Sequence, residues 1–136
     1  MLVIDPSAVI AMLFGELEGD ACATTMGAAP HRLVSAVNYV ETGTVLAGRI
    51  GEKERGKAIA DLDAFLKTFR IEIAAADEDL ARAALKARIR WGKGFGLKRG
   101  LNFGDSFAYA LAKLHGAPLL FVGKDFTSTD IESALP

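Results

Sequence analysis

At 136 residues, 51% hydrophobic and 24% charged, the chain has the make-up of one folded domain with a sizeable core, which excludes intrinsic disorder. Its formal net charge of −1 excludes polyanion binding by bulk charge, so any such surface must be local. Cys22 is the single cysteine, which rules out an internal disulfide, reads as a small core hydrophobe, and leans towards a reducing, cytoplasmic compartment.

Leu2-Val3-Ile4 reads as a short buried strand ending at Asp5. Pro6-Ser7 then opens a helix through Phe14, with Gly15 as its stop. This apolar start has no basic segment and is interrupted by Asp5-Pro6, so it is not expected to be a signal peptide. A second helix is expected over Leu17 to Met26, and a second strand over Arg32 to Ser35. The next helix runs to Ile50 with apolar Val37, Val40, Val45 and Leu46, and Gly51 ends it. Glu52 to Phe69 is helical by the spacing of Ala58, Ile59, Leu62, Phe65, Leu66 and Phe69.

Arg70 to Ala74 alternates as a half-buried strand does. Asp77-Glu78-Asp79 opens a helix through Trp91, its acids serving the cap and the dipole. Gly92 to Gly100 is a loop, and Asn102 to His115 a helix stopped by Gly116 and Pro118. Leu119 to Val122 is the last strand, and a short helix is expected after Thr129. Strands alternating with helices predict an α/β fold with a mostly parallel sheet flanked by helices. No run approaches the roughly 20 apolar residues of a membrane span.

Four acids stand beside these apolar segments: Asp5 and Asp125 after strands, Glu41 and Asp105 in helices that pack beside them. Each alone has an ordinary explanation as a cap or dipole partner. Together they fall where open α/β sheets bind ligands, outside the carboxyl ends of the strands. Two like charges about 4 Å apart repel by roughly 4 kcal/mol at an effective dielectric of 20, so such a cluster calls for a cation. Carboxylates without His or Cys suit Mg²⁺, with Mn²⁺ as the alternative, and a phosphodiester as the substrate. Ser7 and Asn38 stand close enough in sequence to orient these acids. Between Asp79 and Asp105 every charge is basic, and Lys93, Lys98 and Arg99 lie in the loop leading to Asp105, which fits RNA-backbone contact.

The stretches Asp5-Pro6-Ser7-Ala8, Asn38-Tyr39-Val40-Glu41-Thr42, Asn102-Phe103-Gly104-Asp105 and Gly123-Lys124-Asp125-Phe126, with Thr129-Asp130 after them, resemble those of the PIN-domain ribonucleases, and within them the VapC-type toxins. The resemblance spans Met1 to about Ile131 and implies a PIN-like three-layer fold, with residues 1–136 forming a single PIN domain. It implies a Mg²⁺- or Mn²⁺-dependent endoribonuclease with Asp5, Glu41, Asp105 and Asp125 as catalytic and metal-binding acids. Asp5 and Asp105 are the expected direct ligands, with Glu41 and Asp125 bound directly or through water. Asp130 follows as an accessory acid, and a homodimer and a small VapB-type antitoxin as partners. Lys124 departs from the Asn or Asp that relatives often carry there.

Other readings fit less well. A haloacid-dehalogenase-type phosphatase needs a second acid where Ser7 stands, and a serine hydrolase needs a Gly-x-Ser-x-Gly elbow that is absent. The remaining alternative is a PIN-like module that binds RNA or protein without turnover.

Overall fold

The short apolar runs become one parallel sheet. In a computed structural model that describes residues 1–96 and 98–136, the strands are β1 (Leu2–Ile4), β2 (Arg32–Ser35), β3 (Ile71–Ala74) and β4 (Leu119–Leu120), ordered β3-β2-β1-β4. Val3 stands in register with Leu33 on one side and Leu119 on the other. The helices are α1 (Pro6–Leu13), α2 (Gly19–Ala28), α3 (Ala36–Arg49), α4 (Ala58–Thr68), α5 (Glu78–Trp91) and α6 (Phe103–His115). No helix among the described residues is long and apolar enough to cross a membrane.

Strand side chains alternate between faces, and both faces are covered, which is why these strands read as unbroken apolar runs. Val3, Leu33 and Leu119 pack with Leu80 and Ala84 of α5 and Ala108 and Leu111 of α6. Leu2, Ile4, Val34 and Leu120 face the other way, onto Val9 of α1, Cys22 and Met26 of α2, Leu46 of α3 and Leu62 of α4. The result is three layers, with Cys22 buried in the core as expected.

The chain steps from β1 to β2 to β3 in one direction, then returns to place β4 on the far side of β1. That reversal opens a crevice at the carboxyl ends of β1 and β4, the place where α/β sheets bind ligands.

Several boundaries differ from the sequence expectation. The chain does not enter α2 until Gly19, leaving Leu17 fully in solvent. Glu52 to Glu54 form turns, and a 3-10 turn over Arg55–Lys57 precedes α4. Neither Glu54 nor Lys57 caps with its side chain, so nothing holds a longer helix there. Val40 and Ile59 point outward, and Ile73 is half exposed because β3 is an edge strand. Phe121 and Val122 leave β4, and no helix follows Thr129. Instead Leu119 donates to Glu132 and accepts from Ala134, so Ser133 bridges to the edge of β4. Leu97, in the expected loop, lies outside the described residues.

Candidate active site

β1 delivers Asp5 to the crevice, and Asp5 caps α1. Its Oδ2 accepts from the Ser7 amide at 2.9 Å and the Ser7 hydroxyl at 2.6 Å. Ser7 Oγ also accepts from the Val122 amide at 3.0 Å, which ties the exit of β4 to the start of α1. Ser7 therefore fixes both the orientation of Asp5 and the path of the chain towards Asp125. The other carboxylate oxygen, Oδ1, is buried and has no hydrogen-bond partner among the described residues.

Glu41 is set from below by Asn38. Ser35 caps α3 through the Asn38 amide, and its hydroxyl donates to Asn38 Oδ1 at 2.6 Å. That fixes the side-chain amide so that Nδ2 donates to the Gly104 carbonyl at 2.9 Å and to Glu41 Oε1 at 3.3 Å. Asn38 is fully buried, and its bonds join the first turns of α3 and α6. Gly104 lies against the Glu41 carboxylate so closely that a Cβ there would fall 2.3 Å from Oε2. The glycine in the Asn-Phe-Gly-Asp stretch thus makes room for another acid.

Asp105 occupies the third position of α6, where it forms a capping box. Its amide donates to Asn102 Oδ1 at 2.8 Å, and its Oδ2 accepts from the Asn102 amide at 3.0 Å. Like Asp5, it spends one oxygen on the backbone and is nonetheless buried. Asp125 is exposed at the rim, on the turn after β4.

Asp5, Ser7, Glu41, Asp105 and Asp125 line one cavity of about 320 Å³, together with Glu16 and Arg49. Burial, reinforced by the charges of Asp105 and Glu41, pushes the Asp5 carboxyl up to about 7 against the lowering bonds of Ser7. Burial also raises Asp105 to about 6, with Asp125 and Glu41 adding to it and the Asn102 amide and Arg88 opposing. Uncompensated carboxylates in such a place are a cost to folding that a cation removes.

A divalent ion fits this donor set. Among the described residues no three acidic, imidazole or thiol groups stand close enough to grip one ion together. Mg²⁺ does not require that, since it keeps several waters and takes one or two carboxylates directly. The buried Oδ1 of Asp5 is an orphaned acceptor of the kind a cation satisfies.

The other expected residues lie elsewhere. Asp130 accepts from the Tyr109 hydroxyl and from Lys113, outside the acidic cavity, and Tyr109 in turn accepts from Trp91 Nε1. These partners hold the Asp130 carboxyl below its usual range. Lys93, Lys98 and Arg99 are exposed on the segment between α5 and α6, and Lys124 is exposed beside Asp125. Their side chains do not line the cavity. Glu16 and Arg49 do, and neither is among the residues expected from the sequence. The available signal was the spacing of Glu41, Val45 and Arg49 at i, i+4 and i+8, one face of α3.

Comparison with known proteins adds relatives over the same span. The PIN domain family model matches residues 2–132. Ribonuclease VapC30 of Mycobacterium tuberculosis is 42% identical over 136 residues, covering 99% of this chain and all of the relative. A VapC ribonuclease of Mycolicibacterium smegmatis is 41% identical, over 96% of this chain and 97% of its own length. In fold, the chain is similar to the crystal structure of VapC20 of M. tuberculosis, a sarcin-ricin-loop-cleaving toxin, with a TM-score of 0.76 at 18% identity over both full chains. A toxin–antitoxin complex from Klebsiella pneumoniae gives a TM-score of 0.71 at 17% identity, over 96% of this chain and 93% of that one.

Proposed function

Because the chain belongs to the PIN-domain family, among its VapC-type ribonucleases, we propose that Asp5, Glu41, Asp105 and Asp125 are the metal-binding active site of an endoribonuclease that acts as the toxin of a toxin–antitoxin pair. The observation that carries this reading is the gathering of all four acids around one cavity at the strand switch point, two of them buried with raised pKa values. We take residues 1–136 as one PIN domain.

The cofactor is a divalent metal, and Mg²⁺ is the ion proposed, since the donors are hard carboxylate oxygens. Asp5 and Asp105 hold it directly, with Glu41 and Asp125 direct or through water. Bound there, the ion supplies Lewis acidity towards a backbone phosphate and towards the attacking water. Ser7 keeps Asp5 turned so that Oδ1 stays free, and the Asn102 amide holds Oδ2 of Asp105. Asn38 holds Glu41 over Gly104. Water as the attacking group leaves 5′-phosphate and 3′-hydroxyl ends. Lys93, Lys98 and Arg99, exposed at the entry to α6, are proposed to contact the RNA backbone beyond the cavity.

A VapB-type antitoxin and a second copy of the chain are the proposed protein partners. Exposed Val40, Leu85, Ile89 and Phe103 leave apolar surface suited to such contacts. The test is cleavage of RNA by purified protein with Mg²⁺ and with chelator, followed by sequencing of the ends. Mg²⁺-dependent cleavage leaving 5′-phosphates is expected. Binding without turnover would favour the non-catalytic module, and 2′,3′-cyclic phosphate ends would exclude hydrolysis by water.

A further inference from the structure

Among the described residues, the cavity wall carries one cation beside its acids. Arg49, at the last position of α3, lines it together with five carboxylates, those of Asp5, Glu16, Glu41, Asp105 and Asp125. Even with one divalent ion in place, that wall is net negative, and an RNA backbone entering it meets repulsion unless a fixed cation faces it. Arg49 lies two turns beyond Glu41 on the same face of α3, and both line the cavity.

The turn between α1 and α2 is shaped to hold this guanidinium. Gly15 takes the left-handed conformation (φ +61°), which brings Glu16 back against α1, its amide bonded to the Ala11 carbonyl at 2.9 Å. Glu16 Oε1 accepts from Arg49 Nη1 at 3.1 Å, and the Phe14 ring lies 5.1 Å from the guanidinium carbon. Both partners of the ion pair are about half exposed, so its net worth is small and a stronger anion can displace the carboxylate. A phosphate is such an anion, because the planar guanidinium binds two of its oxygens at once.

Resting on the ribonuclease reading above, we infer that Arg49 binds a backbone phosphate of the RNA next to the one cleaved, with Glu16 as the counter-ion it leaves on binding. Phe14 keeps the guanidinium plane in place during that exchange. The prior pairing with Glu16 sets the affinity, since RNA must replace the carboxylate to engage the arginine.

The experiment uses fluorescence anisotropy of a fluorescein-labelled single-stranded RNA of mixed sequence, bound in Mg²⁺ by the Asp105→Asn protein across a series of KCl concentrations. Adding Arg49→Ala should weaken binding about ten-fold and lower the slope of log affinity against log salt by about 0.7, the release of one phosphate contact on a single strand. Arg49→Lys should keep the slope and lose part of the affinity, since an ammonium cannot bind two oxygens in a plane. Glu16→Gln should tighten binding a few-fold. Arg49→Ala with unchanged affinity and slope overturns the inference. So does a Glu16→Gln protein that binds as weakly as Arg49→Ala, because the pair is then only a brace between α3 and the turn. Cleavage of the same RNA by the wild type with an unchanged Arg49→Ala slope defeats this inference alone, whereas a wild type that neither binds nor cleaves RNA defeats the ribonuclease reading as well.

Discussion

Asp77 and Asp5 are the N-caps of α5 and α1, and Asp105 is the third residue of α6, so all three stand at a helix start, where each accepts a main-chain N–H. Asp77 is exposed ahead of α5, and its capping role accounts for it fully. Asp5 caps in the same way and Asp105 closes the capping box of α6 from its third position, but both are buried and line a cavity with further acids. Capping uses one oxygen and leaves the other. In water the second oxygen is hydrated and idle. In the crevice the second oxygen of Asp5 is a buried acceptor with no partner among the described residues, and burial together with the neighbouring acids raises the pKa of both Asp5 and Asp105, which a cation would relieve. Main-chain bonding at a helix start thus goes with exposure at one helix and with burial among other acids at two others, and the sheet topology decides which.

The sharpest way to break that contrast is to neutralise each side of it. Asp5→Asn or Asp105→Asn should lower RNA cleavage by on the order of a hundred- to a thousand-fold or more. Asp77→Ala should leave the rate unchanged and cost about 1 kcal/mol of stability through the lost cap. A cleavage assay beside thermal unfolding reads both, and equal activity loss at Asp77 and Asp5 would erase the distinction.

Stability without metal separates the regions further. Asp5→Asn removes a carboxylate that folding pushes up to about 7, so without metal at pH 8 it should stabilise the protein by about 1–4 kcal/mol. The upper figure is the whole shift at about 1.4 kcal/mol per pKa unit. Mg²⁺ should raise the melting temperature of the wild type and not of the variant. An Asp5→Asn protein that melts below the wild type in chelator contradicts this.

The pH dependence has a fixed sign. Both acids have folded pKa values above their unfolded ones, so the folded state holds protons that the unfolded chain releases near pH 4. Their contribution to stability is complete below that point and is lost as pH rises through about 6 and 7. Without metal, the wild type should therefore lose stability between pH 4 and 8 relative to the Asp5→Asn/Asp105→Asn double variant. Metal competes with those protons, so cleavage should rise across about pH 6 to 7. A rate that falls over that interval runs against the assignment.

Smaller effects probe the supports. Gly104→Ala places a methyl where the Glu41 carboxylate sits and should cut cleavage about ten-fold with the fold retained, as circular dichroism would show. Asp130→Asn loosens the tie to Tyr109 and Lys113 and should cost under about 1 kcal/mol with cleavage intact. A large activity loss there would return Asp130 to the site.

Much of this was legible in the sequence because buried parallel strands write themselves as apolar runs, and acids at their ends stand out against them. Leu2-Val3-Ile4 and Leu119-Leu120 mark the strands, and Asp5 and Asp125 beyond their ends line the cavity. Helix starts marked by Asp77 and Asn102 were equally plain, since capping is a local property. The C-terminus was not, because its hydroxyls bond locally: Thr127 and Thr129 donate to carbonyls three residues back, and Ile131 donates to Thr129. Such bonds compete with helix, and the distant edge of β4 then takes the segment. Asp130 follows in the same segment, where it bonds Tyr109 and Lys113. Arg49 went unnoticed because its partner, Glu16, is 33 residues away and only the fold joins them.

The most direct test is a titration of Mn²⁺, a spectroscopic stand-in for Mg²⁺, into the wild type and the Asp5→Asn and Asp77→Ala variants at pH 8, with free ion counted by electron paramagnetic resonance. The wild type and Asp77→Ala should take up the ion alike, and Asp5→Asn should leave it free. Equal uptake by all three would contradict the account.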